Sequence, residues 1–168
     1  RVLRFDLPTP AGEKQQKEFR PIHSVPLGKE GWIGWSAGYP DSIRPLYRLN
    51  EVNQAIDRSF ITIHGGEKAT DAAAALNLPS TTNAGGEEAI KSTDWEPVTA
   101  YTTAAITIDN DEKGEKFGRT LAVKLHSLSP ALTIKIIHLP NLPPKGDIVE
   151  WIAAGGTKES CLSIIDQT

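Results

Sequence analysis

Apolar and polar residues alternate in two different ways along residues 58–168. Charge-free runs rich in β-branched residues predict strands over residues 60–63, 80–82, 104–108 and 132–139. Apolar residues at helical spacing predict helices over residues 67–77, 112–128, 148–154 and 158–165, with a weaker helical segment over 87–92. Strands that alternate with helices are parallel and joined by right-handed crossovers. The pattern therefore predicts an α/β fold in which a four-stranded parallel sheet is flanked by helices.

The first 57 residues follow another pattern. Residues 2–7 and 18–25 have the composition of short strands on either side of a polar turn with Pro and Gly, which is typical of a hairpin. Residues 28–38, with their glycines and two tryptophans, form an irregular segment or a short strand. The indole rings either stack on nucleic-acid bases or fix this region to its neighbour. We therefore predict a small β-rich N-terminal appendage or linker over residues 1–57 and an α/β domain over residues 58–168.

Composition narrows the class of protein. The single cysteine, Cys161, rules out an internal disulfide framework and is expected to be structural, and no Cys/His cluster has zinc spacing, so a reducing compartment is expected. The sequence has no apolar run of about 20 residues and no signal-like start, which predicts a cytoplasmic protein with no membrane partner. The chain begins at Arg1 and contains no methionine, so we expect it to be part of a longer polypeptide.

Charge is distributed unevenly along the chain. Residues 1–48 hold eight Lys and Arg against five Asp and Glu, whereas residues 49–168 hold ten against sixteen. A basic front on an acidic body is expected of a protein whose front contacts a polyanion and whose body holds cations. An asymmetry of this size also arises without such a purpose. If it is functional, Lys14, Lys17 and Arg20 are the candidates for contacts with nucleic acid.

Two aspartates one residue apart end the strand predicted over residues 104–108. The apolar sequence of that strand is typical of burial on both faces of a parallel sheet. Asp109 and Asp111 would then lie at the carboxyl edge of the sheet, where ligands bind in open α/β folds. Two carboxylates suit Mg²⁺ or Mn²⁺, which completes its coordination with water or phosphate. The alternative is that one of these aspartates only caps the following helix.

Two further loops are predicted at the same edge, over residues 64–67 and 145–147. Glycine turns that lead into a helix direct N–H groups toward an anion, while carboxylates hold a cation, so phosphate and Mg²⁺ chemistry fits both loops. His64 either contacts phosphate or is packed or solvated at the strand end. Lys145 either offsets phosphate charge or is an exposed turn residue. His138 is expected to be structural.

These motifs together resemble the TOPRIM domain of phage and mobile-element DNA primases, including primase-helicases. In chain order they are Gly65-Gly-Glu-Lys68, Gly85-Gly86, Asp94-Trp95, Asp109-Asn-Asp111 with Gly114, and Pro143-Pro-Lys-Gly-Asp147 with Trp151. Residues 31–35 and 44–49 are similar to the linker that precedes TOPRIM in that family. The resemblance covers nearly the whole chain, and its ordered combination is more specific than any single motif.

The resemblance implies Mg²⁺- or Mn²⁺-dependent synthesis of RNA primers from nucleoside triphosphates on a single-stranded DNA template. It also raises the expectation of a helicase domain in the same polypeptide. By resemblance, the catalytic residues are Glu67, Asp109 and Asp111, of which the two aspartates are the metal ligands. The residues implied to bind phosphate or nucleotide are Lys68, Lys145 and Asp147.

One position departs from the family pattern. The first acidic residue of the family aligns on Gly65, whereas the next one, Glu67, is retained. Either Glu67 replaces the missing carboxylate, or the domain binds metal without catalysis. Two alternative functions therefore stay open. One is a catalytically degenerate TOPRIM domain that binds nucleic acid or couples neighbouring domains, and the other is a doubly wound domain that binds a phosphorylated small molecule.

Overall fold

The computed structural model describes residues 2–6, 17–26, 33–38 and 43–168. Contacts divide the chain into two compact units, Arg1–Ile43 and Arg44–Thr168. Within the described ranges, none of the helices has the length and apolar content needed to span a bilayer.

The first unit is a small antiparallel sheet. Its strands are β1 (Val2–Asp6), β2 (Lys17–Pro26) and β3 (Ile33–Ala37), in the order β1-β2-β3. Val2 pairs with Pro21, and Ile22 pairs with Ala37. The predicted hairpin is confirmed, and the tryptophan-bearing segment supplies a third strand.

The division between the units falls before Arg44 rather than near Asp57. The Arg44 N–H donates to the Ser92 carbonyl at 2.7 Å, and the Tyr47 N–H donates to the Thr82 carbonyl at 2.8 Å. Helix α1 (Leu49–Gln54) follows and places the buried Val52 in the core of the second unit. Residues 44–57 thus belong to the second unit because their hydrogen bonds and apolar contacts lie there.

The second unit is the predicted four-stranded parallel sheet. Strands β4 (Phe60–Ile63), β5 (Ser80–Thr81), β6 (Thr103–Thr107) and β7 (Thr133–Ile137) run in the order β5-β4-β6-β7, and every pair is parallel. The flanking helices are α2 (Glu67–Ala75), α3 (Glu112–Leu128), α4 (Ile148–Ala153) and α5 (Lys158–Gln167). Glu87–Ser92 and Glu96–Ala100 are 3₁₀ helices.

Apolar side chains cover both faces of this sheet. Successive residues of a strand point to opposite faces, and Ala104 and Ile106 of β6 belong to one apolar cluster whereas Ala105 belongs to another. Helix α3 packs in the first cluster, and helices α2, α4 and α5 pack in the second. The central strand β6 is therefore buried on both faces, as its sequence predicts, and its carboxyl end is where the polar residues begin.

Candidate functional site

Asp109 and Asp111 follow β6 at the start of α3. Asp111 is the N-cap of α3, and its Oδ1 accepts a hydrogen bond from the Gly114 N–H at 2.8 Å. The helix-capping alternative therefore holds for Asp111. Because this bond engages one carboxylate oxygen, capping and metal binding are compatible at this residue.

Asn110 joins the loop after β6 to the loop after β7. Its N–H donates to the Gly146 carbonyl at 2.9 Å, and its own carbonyl accepts from the Lys145 N–H at 3.0 Å. The Asn110 side-chain amide donates to the carbonyls of Leu142 and Pro143 at 2.9 and 3.1 Å. These four bonds hold the two loops together at one edge of the sheet and support Lys145 in a left-handed conformation with φ 64°.

Asp147 begins helix α4. Its Oδ1 accepts from the Val149 N–H at 2.6 Å, and its own N–H donates to Glu150 Oε2 at 3.0 Å. This reciprocal arrangement is a capping box. Glu150 is thereby brought to the site, although the sequence analysis did not select it. Its signal was the spacing Asp147-x-x-Glu150 at the start of an apolar helix.

Carboxylates converge on Asp109. Burial is the main cause that raises the pKa of Asp109 to about 6, and the charges of Asp147, Asp111 and Glu150 add to it. Burial also raises the pKa of Asp147. The pKa of Glu150 is lowered, mainly because its carboxylate accepts a hydrogen bond from the Asp147 backbone N–H. Lys68 on α2 lies within electrostatic reach, because its charge lowers the pKa of both Asp147 and Glu150. The repulsion at Asp109 is of the kind that a bound cation relieves.

The donor set fits an ion that keeps most of its water. Among the described residues, no group of three or more His, Cys, Asp or Glu side chains is arranged to hold a metal. Mg²⁺ needs only one or two carboxylates when water and phosphate oxygens supply the rest. Asp109 and Asp111 remain the two carboxylates predicted to bind such an ion.

Gly65 lies directly against Asp109. A Cβ at residue 65 would be 3.2 Å from Asp109 Oδ1, so a side chain there would meet this carboxylate. The backbone of Gly65 is outside the left-handed region. Glu67, by contrast, is exposed at the start of α2, and it is not among the carboxylates whose charges act on Asp109. Glu67 is therefore not part of the group of carboxylates whose charges act on Asp109.

His64 is packed, not exposed to a ligand. It is 1% exposed, its Nε2 lies 2.9 Å from Thr62 Oγ1, and its Nδ1 is hydrogen-bonded to Thr107 Oγ1. Burial lowers the pKa of His64 to about 3. The imidazole is thus neutral and links β4 to β6, which excludes a direct role in binding phosphate.

His138 lies beside the site, because it lines a cleft of about 120 Å³ together with Asp109, Asp111 and Glu115. Its Nε2 is 2.6 Å from Glu115 Oε1. The remaining candidates lie elsewhere. Cys161 is fully buried, and burial raises its thiol pKa to about 11. Lys14 lies outside the described residues, as do the side chains of Lys17 and Arg20 on β2.

A cleft beside Asp109 adds a residue that the sequence analysis missed. Its volume is about 230 Å³, and the lining residues are Gly65, Gly86, Asp109, Lys113, Gly114 and Phe117. Gly86 belongs to the predicted Gly-Gly turn, and its carbonyl accepts from Asn83 Nδ2 at 2.7 Å. Lys113 had no distinguishing sequence signal, because lysine is common in the first turns of exposed helices.

No protein-family model matches this chain, and no curated protein matches it in sequence. What the fold and site define is a class: a parallel α/β domain with a carboxylate cluster at the carboxyl edge of its central strand.

Proposed function

We propose that residues 44–168 form the TOPRIM module of a DNA primase, which joins ribonucleotides on a single-stranded DNA template. The observation that carries the proposal is the convergence of Asp109, Asp111 and Asp147 where β6 and β7 end. These residues belong to the motifs whose order resembles that family. The basic front, residues 1–48, would contact the phosphates of the template.

Asp109 and Asp111 are the residues that would hold Mg²⁺. When bound, this ion neutralises charge on the incoming triphosphate and assists attack by the primer 3′-hydroxyl. The chain's own contribution is positional. Asn110 fixes the two loops, and above a pH of about 6 the Asp109 carboxyl is ionised and able to act as a ligand.

A second function is favoured by Gly65. The carboxylate that the family uses for acid–base or metal chemistry is absent at this position, where a side chain would meet Asp109. A catalytically degenerate module would still bind metal and nucleic acid but make no primers. Such a module would couple neighbouring domains of a longer polypeptide.

The test combines metal binding with primer synthesis. Calorimetry with Mn²⁺ should show binding to the wild type and none to an Asp109→Asn, Asp111→Asn double variant, whereas Asp166→Asn, on the exposed face of α5, should bind as the wild type does. Template-dependent primers made by the wild type but not by the double variant support the primase. Metal binding without primers supports the degenerate module, and equal metal affinity in all three proteins would overturn the site.

A further inference from the structure

His138 and Glu115 belong to two elements that meet at the carboxyl edge of the sheet. His138 directly follows β7, the strand that pairs with β6. Glu115 lies one helical turn after Asp111 on α3, and its N–H donates to the Asp111 carbonyl at 3.1 Å. Both residues line the cleft of about 120 Å³ that Asp109 and Asp111 also line. The pair therefore lies beside the two carboxylates predicted to bind a divalent cation.

A carboxylate holds one nitrogen of the His138 ring. Nε2 is 2.6 Å from Glu115 Oε1, and Glu115 Oε2 in turn pairs with Arg119 at 3.6 Å. Because an ionised carboxylate only accepts hydrogen bonds, Nε2 carries the proton of the neutral ring and Nδ1 is an acceptor. Nδ1 has no hydrogen-bond partner among the described residues. The His138 side chain is 65% exposed, so a substrate can reach this nitrogen.

Other titratable groups near the site are engaged in other contacts. Asp109 and Asp111 are the predicted ligands of the cation, and the Asp147 carboxylate caps α4. Both ring nitrogens of His64 are hydrogen-bonded to threonines. This leaves His138 Nδ1 as the nitrogen through which a residue of the cleft can take up a proton.

We propose that His138 is the general base of the nucleotidyl transfer and that Glu115 positions its ring. Nδ1 accepts the proton of the primer 3′-hydroxyl while the hydroxyl oxygen forms a bond to the α-phosphorus. The bond between this phosphorus and the bridging oxygen of pyrophosphate breaks, and pyrophosphate leaves with the electron pair. Glu115 stabilises the imidazolium that forms, as a carboxylate does in other His-carboxylate pairs. The inference rests on the proposed function, because it assigns a residue to that reaction.

Primer synthesis tests the base directly. His138→Ala should slow it about a hundredfold or more, which is typical of a lost general base. Added imidazole should restore part of the rate, since it supplies the missing proton acceptor, whereas it does not repair a structural defect. His126→Ala removes another exposed histidine, on α3, and is the matched control that should keep the wild-type rate.

The tautomer of His138 is a check that needs no activity. Nitrogen NMR of the neutral ring, assigned with His138→Ala, should show the proton on Nε2 in the wild type. Glu115→Ala should give a mixture of tautomers and slow primer synthesis about tenfold or more, because the ring is no longer oriented. Glu112→Ala, on the same helix and also exposed, should change neither measurement.

Four results would overturn the inference and leave the primase proposal standing. They are equal primer synthesis by the wild type and His138→Ala, a loss that imidazole does not restore, a proton on Nδ1 in the wild type, and weaker Mn²⁺ binding by His138→Ala. The last of these would make His138 a metal ligand instead of a base. Absence of primers from the wild type would differ from all four, because it removes the reaction and therefore both proposals.

Discussion

At the scale of single residues, burial decides which groups near the site carry charge. Asp109 is partly buried beside other carboxylates, which raises its pKa to about 6, and His64 is fully buried, which lowers its pKa to about 3. Both shifts favour the uncharged form. They nevertheless change stability in opposite directions as the pH falls.

Asp109→Asn should stabilise the metal-free protein at pH 7 by about 1 kcal/mol, a value kept small because solvent screens a partly buried charge. The amide keeps the shape of the side chain and removes its repulsion from neighbouring carboxylates. The gain should shrink below pH 6, because folded Asp109 then binds a proton that the unfolded chain accepts only near pH 3.8. Urea unfolding at pH 7 and pH 5 measures both effects, and a net loss of stability at pH 7 would contradict the prediction.

His64 should make the folded state lose stability as the pH falls below 6.5. The unfolded imidazole binds a proton near pH 6.5, whereas folded His64 does so only near pH 3. Between these values the group lowers the free energy of unfolding by up to about 1.4 kcal/mol per pH unit.

The Asp109→Asn background isolates this effect, because it removes the opposing contribution of Asp109. Urea midpoints between pH 7 and pH 5 should fall less steeply when His64→Gln is added to that background. Parallel curves for the two proteins would show that His64 does not cause the slope.

Gly65→Glu should raise the melting temperature only when Mg²⁺ is present. The backbone of Gly65 is compatible with glutamate, and the new Cβ requires only a small shift of the Asp109 carboxylate. The added oxygen ligand stabilises a metal complex, whereas without metal the added charge repels Asp109. Thermal melts of Gly65→Glu and Gly65→Gln, with and without Mg²⁺, measure the difference. The same response to Mg²⁺ in both variants would rule out a gained ligand.

The sequence predicted the position of Asp109 and Asp111 because the apolar run of β6 stops abruptly there. It left open which aspartate caps α3, since capping depends on backbone angles that sequence spacing does not define. Lys113 was missed for a different reason: only the folded chain shows that it lines a cleft with Asp109. Glu150 had a visible capping pattern, but only the folded loops bring it near Asp109.

At the scale of secondary-structure elements, close approach of α3 to β6 shapes the site. A Cβ at Gly114 would lie 2.2 Å from the Asp109 carbonyl oxygen, which is an impossible contact. The close approach of α3 to the Asp109 backbone therefore requires a residue without a side chain at position 114.

Gly114→Ala should destabilise the protein by about 2 kcal/mol or more, although alanine favours helices over glycine by about 1 kcal/mol. Backbone must move to remove the clash, so Mn²⁺ affinity should also fall. Gly66→Ala is the control, because a Cβ at Gly66 meets no atom within 4 Å. Urea unfolding compares the two variants, and equal stabilities would mean that the contact relaxes without cost.

Helices whose apolar residues recur at regular helical spacing were predicted well from the sequence. Segments whose conformation depends on contacts with distant residues were predicted less well. Phe117, Leu121 and Leu125 mark α3 in the sequence and pack in the core as expected. The weak segment 87–92 is a 3₁₀ helix, whose Ile90 carbonyl accepts from Trp95 Nε1 at 3.0 Å. The boundary near Asp57 was misplaced because the bonds of Arg44 and Tyr47 reach residues far along the chain.

At the scale of the whole molecule, charge separates along the chain into a basic front and an acidic body. The boundary between the units leaves Arg44 and Arg48 in the second unit, so residues 1–43 hold six Lys and Arg against five Asp and Glu. The prediction that single-stranded DNA binds the front of the chain therefore depends on particular residues, Lys14, Lys17 and Arg20, rather than on the net charge of the first unit.

Replacing Lys14, Lys17 and Arg20 with glutamine should weaken single-stranded DNA binding and reduce its dependence on salt, because fewer counterions are released. The matched control replaces Lys91, Lys124 and Lys158 of the second unit, which changes the net charge equally. Fluorescence anisotropy at several salt concentrations measures both variants. Equal losses in the two would assign the effect to net charge rather than to the first unit.

The all-parallel pairing of the second unit has a consequence for how it folds. Phe60 pairs with Thr103, and Thr103 pairs with Thr133, so no strand pair of this sheet can form as a local hairpin. Sheets assembled from distant segments form slowly, since loop closure precedes any gain from pairing. Asp109 and Asp147 become neighbours only when β7 is paired with β6. The complete acidic cluster therefore depends on the pairing of two segments that are distant in the chain, whereas Asp109 and Asp111 share a single loop.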